Sequence, residues 1–248
     1  AKSVTDSTLS VANTDDDGTH TWSVPNTADA NVWIRAFTNT HNTYTTAGPF
    51  TISGVTLTDP NCGEVLSSGG SYLITWNTIG TLMDSVGLHY SINGGSWTLI
   101  ADDIPNTGSY TWTVANNPAD SVSIRVGKNQ TYNGNDVCDA PFKIAGIIVT
   151  SPNGGETWTL NHAETITWEE ISITSAVKIE YTLNMTDYYI IPGASSIAAG
   201  TKTFNWDLNP SNDPNLAASN TCLIRITEAS GLEPMSDASN TSFEIVAP

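Results

Sequence analysis

The chain has 248 residues and carries 8 Lys+Arg against 25 Asp+Glu, a formal net charge of −17 with a pI near 4.2. A surface this poor in cations cannot neutralise a phosphate backbone and is repelled by anionic membranes, which excludes nucleic acid and membrane insertion. A hydrophobic content of 39% with 8 Trp is ample for a packed core, and no apolar run approaches the ~18 residues of a bilayer span.

Charged residues make up only 13% of the chain, so 35 Thr and 23 Asn supply much of the polar surface. Thr favours strands and Asn, with Gly, favours turns. Residues 1–54 contain three short motifs, Gly18-Thr-His-Thr-Trp22, Val32-Trp-Ile-Arg35 and Gly48-Pro-Phe-Thr-Ile52. Each recurs twice downstream. Gly108-Ser-Tyr-Thr-Trp112 and, more loosely, Gly200-Thr-Lys-Thr-Phe-Asn-Trp206 repeat the first; Val122-Ser-Ile-Arg125 and Cys222-Leu-Ile-Arg225 repeat the second. Ala140-Pro-Phe-Lys-Ile144 and Thr241-Ser-Phe-Glu-Ile245 repeat the third.

Residues 55–146 form a whole module. Period-two alternation broken at Gly, Pro, Asn and Asp predicts seven strands there: Val55–Thr58, Tyr72–Trp76, Val86–Ser91, Trp97–Ile100, Tyr110–Val114, Val122–Val126 and Pro141–Ile144. Asn93-Gly94-Gly95 is a hairpin turn that requires positive φ. Residues 147–248 form a second whole module, because Val55-Thr-Leu-Thr-Asp-Pro-Asn-Cys-Gly-Glu64 recurs as Ile147-Ile-Val-Thr-Ser-Pro-Asn-Gly-Gly-Glu156 and Leu73-Ile-Thr-Trp76 as Thr165-Ile-Thr-Trp168. The expected architecture is all-β: tandem immunoglobulin-like or fibronectin-like β-sandwich modules, the first incomplete. Residues 1–54 lack the counterpart of residues 55–90, about 36 residues. Either the chain is a fragment of a longer repeat protein, or another polypeptide completes the first module.

Core packing explains Trp76, Trp168, Trp22, Trp112 and Trp206. Trp33 differs: it is out of phase with Val32 and Ile34 and stands where the other modules have Ser123 and Leu223, which makes it the candidate interface residue. The three arginines, Arg35, Arg125 and Arg225, occupy one repeat position, with Glu64 and Glu156 as their expected salt-bridge partners. Cys62 and Cys138 share a module and are replaced together by Gly154 and Ser239 in the next, the pattern expected of a disulfide. Cys222 replaces a core-facing Val. Asp15, Asp16, Asp17, Asp102 and Asp103 fall in equivalent loops and are a weak candidate calcium site, without the spacing of a known loop. Sequons at Asn129, Asn184 and Asn240 permit glycosylation.

No catalytic set is present in the pattern. His20, His41, His89 and His162 are scattered, and Glu169-Glu170, adjacent on a strand, point to opposite faces rather than forming an acid–base pair. The run Ile147-Ile-Val-Thr-Ser-Pro-Asn-Gly-Gly-Glu-Thr-Trp158 followed by Ile166-Thr-Trp168, an Ile-Arg strand and a closing Asp–Phe spacing (Asp136 to Phe142, Asp237 to Phe243) resembles KNH-like tandem repeats, the Ser-Thr-rich GPI-anchored-type modules. The middle module departs from the pattern at Cys62 and Leu66. The resemblance implies a sandwich fold and export to the cell surface, and it supplies no catalytic residue or cofactor. The expected function is a non-enzymatic extracellular structural protein of a surface layer, sheath or filament. Its partners would be copies of itself or the rest of a longer repeat chain. The alternative is an adhesin or a carbohydrate-binding stalk that meets cell-surface glycans.

Overall fold

The computed structural model describes residues 19–22, 24, 28–37, 44–81, 84–128, 135–229 and 235–248. Among these residues every regular element is a strand and no helix is formed. The first module contributes a hairpin, β1 (Asp29–Phe37) and β2 (Tyr44–Ile52), paired antiparallel. In the middle module follow β3 (Gly54–Asp59), β4 (Val65–Ser67), β5 (Ser71–Ile79), β6 (Ser85–Ile92), β7 (Thr98–Pro105), β8 (Ser109–Thr113), β9 (Ala119–Gly127), β10 (Asp136–Val137) and β11 (Phe142–Ser151). The last module holds β12 (Thr157–Thr159), β13 (Ala163–Ile171), β14 (Val177–Thr182), β15 (Tyr188–Ile190), β16 (Thr203–Asp207), β17 (Ser219–Glu228), β18 (Ser236–Ala238) and β19 (Phe243–Val246).

Two layers face each other in the middle module. One is the sheet β3-β5-β8; the other runs β11-β9-β6-β7. The alternation read from the sequence puts Leu57, Ile74, Trp76 and Trp112 of the first layer against Leu88, Val122, Ile124 and Phe142 of the second, all buried. The last module repeats this, with β11-β13-β16 against β19-β17-β14-β15. Its core centres on Trp158, Trp168, Trp206, Tyr181 and Phe243, with Trp206 4.8 Å from Tyr181 and Trp158 4.9 Å from Phe243 between ring centroids. The module is therefore a β-sandwich twice over, as its residue pattern predicts.

All seven expected strands of the middle module form. β4 and β10 are additions, at three and two residues too short to carry a periodic signal. β4 pairs parallel with β11 at Val65↔Lys143, Leu66↔Ile144 and Ser67↔Ala145. β12 pairs parallel with β19 in the same way.

The junction between modules is itself a strand. The Phe142–Ile144 end of β11 pairs with β9, while Gly146–Ser151 pairs with β13 of the following module. One uninterrupted strand thus closes one sandwich and opens the next. Between β2 and β3 only Ser53 intervenes. Gly146 sits at the crossing point because a Cβ there would stand 3.1 Å from the Ser68 side chain and 3.2 Å from Pro118 Cβ.

Candidate functional site

The β1–β2 hairpin carries the candidate interface residue. Trp33 is 48% exposed, and its ring lies across Gly48, where a Cβ would come within 3.0 Å of Trp33 Cε3 and 2.7 Å of the Val32 carbonyl oxygen. Gly48 also holds φ +137°, so no other residue suits this crossing. Ile34 occupies the position of the fully buried Ile124 yet is 47% exposed, and Tyr44 is exposed as well.

The three arginines occupy one repeat position, and the partner of Arg225 is Glu180 rather than the expected Glu156. Arg225 donates from Nε (3.0 Å) and Nη2 (2.9 Å) to Glu180 Oε2, and its guanidinium stacks on Tyr188, 3.7 Å from the ring centroid. Lys178 Nζ reaches the other Glu180 oxygen at 3.1 Å. Arg125 stacks on Trp97 at 4.4 Å, and Arg35 lies over Tyr44 at 5.4 Å. Arg225 faces Glu180 because β14 and β17 are registered Glu180↔Arg225; the corresponding pair in the middle module is His89↔Arg125. Burial, then the Arg125 charge, lower the His89 pKa against the pull of Asp102. A ring beneath the guanidinium is a feature that the three arginines share.

Glu64 and Glu156 are instead closures for their own turns. Glu64 accepts backbone N–H bonds from Asn61 (3.1 Å) and Cys62 (3.0 Å). Glu156 accepts them from Asn153 (2.8 Å) and Gly154 (2.7 Å). Partial burial pushes both carboxyls up, but the N–H donors outweigh it and hold each below its ordinary value. A second repeated carboxylate, part of the closing Asp–Phe spacing, ties the first strand of each whole module to its penultimate one. Asp136 Oδ2 accepts from the Leu57 N–H at 2.9 Å, and Asp237 Oδ2 accepts from the Val149 N–H at 2.8 Å. The Asp–Phe spacing that closes each module was the available signal.

The expected Cys62–Cys138 disulfide is not formed; all three cysteines are free thiols. The two thiols sit in different environments. Cys62 lies exposed on the turn, whereas Cys138 is buried, with its Sγ accepting the Ile124 N–H at 3.4 Å. Ser239 does the same work in the last module: its hydroxyl accepts the Ile224 N–H at 3.0 Å and donates to the Pro152 carbonyl at 2.7 Å. Cys138 is thus the thiol version of a strand-stitching hydroxyl. Cys222 is buried in the core, as its replacement of Val predicts, and burial raises its pKa.

Asp15, Asp16, Asp17 and Asn129 lie outside the described residues. Asp102 and Asp103 lie within strand β7 rather than in the expected loop, and both are engaged locally, Asp102 Oδ1 with the Asp103 N–H and Asp103 Oδ1 with the Ser85 hydroxyl. Among the described residues no three His, Cys, Asp or Glu side chains converge. Asn184 organises its own turn, its Oδ1 accepting the N–H groups of Thr186 (3.0 Å) and Asp187 (2.8 Å) while Nδ2 donates to Asp187. Asn240 is exposed, with its N–H on Asn153 Oδ1. Glu169 pairs with Lys202, and Glu170 accepts from Trp168 Nε1 and the Gly200 N–H, so the two carboxylates are held apart.

No family model matches the chain, and no curated protein matches it. Among solved structures it is similar to the fibronectin(III)-like modules of CbhA from Clostridium thermocellum, at 15% identity over 78% of this chain and 93% of that one, TM-score 0.25. It is also similar to immunoglobulin domains 1–4 of Sidekick-1, at 7% identity over 86% of this chain and 57% of that one, TM-score 0.28. A third is the N-terminal eight-Ig-domain region of the Down Syndrome Cell Adhesion Molecule, at 9% identity over 79% of this chain and 30% of that one, TM-score 0.24. Likenesses at this level carry no argument about activity or partners; the all-β tandem sandwich rests on the strand order itself.

Proposed function

We propose that this chain is a non-enzymatic structural repeat protein of an extracellular surface layer, sheath or filament. The observation that carries this reading is β11, one strand shared by consecutive sandwiches with no linker between them. Such a joint fixes the relation between neighbours and suits a part whose task is to hold a spacing. The repeated residues are consistent with it: Glu64, Glu156, Asp136, Asp237, Cys138 and Ser239 are spent on backbone N–H groups and offer nothing to a substrate. The KNH-like resemblance and the low-charge, Thr- and Asn-rich surface favour an exported setting.

The test is assembly. Electron microscopy and sedimentation of the purified chain at rising concentration should reveal ordered polymers or arrays. A chain that stays monomeric throughout and binds defined glycans would refute the reading. A second reading, adhesion to cell-surface glycans, is favoured by the exposed Trp33 and the nearby Arg35–Tyr44 stack. Trp33→Ala would then abolish glycan retention without changing assembly.

A further inference from the structure

The charges of the chain are unevenly placed, and one sheet face has none. The outward positions of β3, β5 and β8 are Thr56, Thr58, Ser71, Leu73, Thr75, Asn77, Ser109, Thr111 and Thr113. Registered pairs Thr56↔Asn77, Leu73↔Thr111, Thr75↔Ser109 and Ser71↔Thr113 lay them out as one hydroxyl-rich surface. Thr58 and Thr75 join their hydroxyls across it at 2.6 Å. Near its middle stands Leu73, 51% exposed. The matching face of the last module shares Thr150, Thr165, Thr167, Thr203 and Asn205 and the same hydroxyl pair, Thr150–Thr167, at 2.7 Å, but it also carries Glu169 and Asp207.

We infer that this uncharged face of the middle module is where a second copy of the chain packs, sheet face against sheet face. The inference rests on the structural reading above and names its contact. Charge selects the occupant. Copies that each carry −17 repel one another wherever acids face acids, and this face is where two of them meet without burying a carboxylate. Short Thr and Ser side chains lose little rotamer freedom on contact, and Leu73 provides an apolar centre. A flat polysaccharide is disfavoured, because sugar faces stack on rings and every ring of these strands points inward: Tyr72 and Tyr110 are half-buried, Trp76 and Trp112 buried. Strands of six, nine and five residues outline roughly 330 Å² from standard strand spacing and rise. That is less than half of the ~800 Å² per partner of a stable pair, so one face alone makes a weak contact that gains strength when many chains engage together.

Thiol crosslinking reads such a weak contact directly. In a Cys62→Ser background, Thr111→Cys is placed on the face and Thr98→Cys on β7 of the opposite sheet. Each rate of oxidative dimer formation is normalised to that thiol's reactivity with iodoacetamide, a neutral reagent. Thr111→Cys should dimerise at least about tenfold faster than Thr98→Cys, through the raised local concentration of its symmetry mate. Leu73→Asp added to it should bring the rate down to that of Thr98→Cys. Thr56→Cys, across the same face, is the second probe should Thr111→Cys disturb the fold. Equal normalised rates for the face and control positions overturn the inference. If wild-type protein nevertheless forms ordered arrays, the structural reading stands and only the contact is wrong. Equal rates together with loss of retention on an insoluble neutral polysaccharide in Leu73→Asp would transfer the face to that polymer.

Discussion

Replacing Arg225 distinguishes the ion pair the fold builds from the one its repeat position suggests. Glu180 has a side chain only 9% exposed, held by Arg225 and by Lys178, whose side chains are 35% and 33% exposed. Orphaning a fully buried charge costs about 3–5 kcal/mol. Arg225→Met leaves Lys178 in place and keeps an aliphatic stem over Tyr188, while the partly exposed guanidinium is screened by solvent. Those two facts reduce the expected destabilisation to about 2 kcal/mol. A double-mutant cycle with Glu180→Gln should then give a coupling of about 1–2 kcal/mol, whereas the cycle with Glu156→Gln should give less than ~0.5 kcal/mol. The assay is urea unfolding of the full chain followed by tryptophan fluorescence, since Trp158, Trp168 and Trp206 all report on the last module. Coupling of Arg225 to Glu156 as large as to Glu180 would refute the assignment.

Two further outcomes follow from the repeated turns and the thiols. Glu64 and Glu156 have folded-state pKa values below their ordinary 4.5, so the stability they contribute is complete above that value and is lost as pH falls through the folded pKa. The urea midpoint should therefore drop as the pH is taken down below 4.5, and Glu156→Gln should flatten that drop while destabilising the protein by ~1–2 kcal/mol at neutral pH; an unchanged slope would discard the turn-closing role. In native protein a thiol reagent should label Cys62 rapidly and reach Cys138 and Cys222 only on unfolding, and Cys138→Ser should cost less than ~1 kcal/mol because Ser239 already makes that bond. Recovery of a Cys62–Cys138 crosslink from non-reduced native protein would overturn the free-thiol state.

The core was legible because it depends on local alternation. Trp76, Trp112, Trp168 and Trp206 fall in phase with their apolar neighbours, and each is buried. In the first module phase does not decide burial, since out-of-phase Trp33 and in-phase Ile34 are both exposed. Partnership was not legible, because it depends on register between strands far apart in the chain. Arg225 could be matched to Arg35 and Arg125 from sequence, but Glu180 stands opposite it only through the β14–β17 pairing. The Glu64 and Glu156 turns did leave a signal, a carboxylate three residues after Asn61 and Asn153, in reach of the turn's own N–H groups. Matching Cys138 with Ser239 likewise pointed to a hydrogen-bonding role. Reading the paired loss of two cysteines as a crosslink passed over it.

The parallel pairs at each module's end have a mechanical consequence. β11 lies beside β4, and β19 beside β12, with strands running in the same direction. Tension that pulls the start of a module one way and its final strand the other slides such a pair lengthwise. Several hydrogen bonds then bear the load together instead of opening one after another like a zipper. Because β11 passes directly into the next sandwich, force leaving one clamp enters the next module along the same backbone, with no slack to take up. Resistance to stretching is then governed by how fast a loaded module unfolds, a rate property distinct from its equilibrium stability.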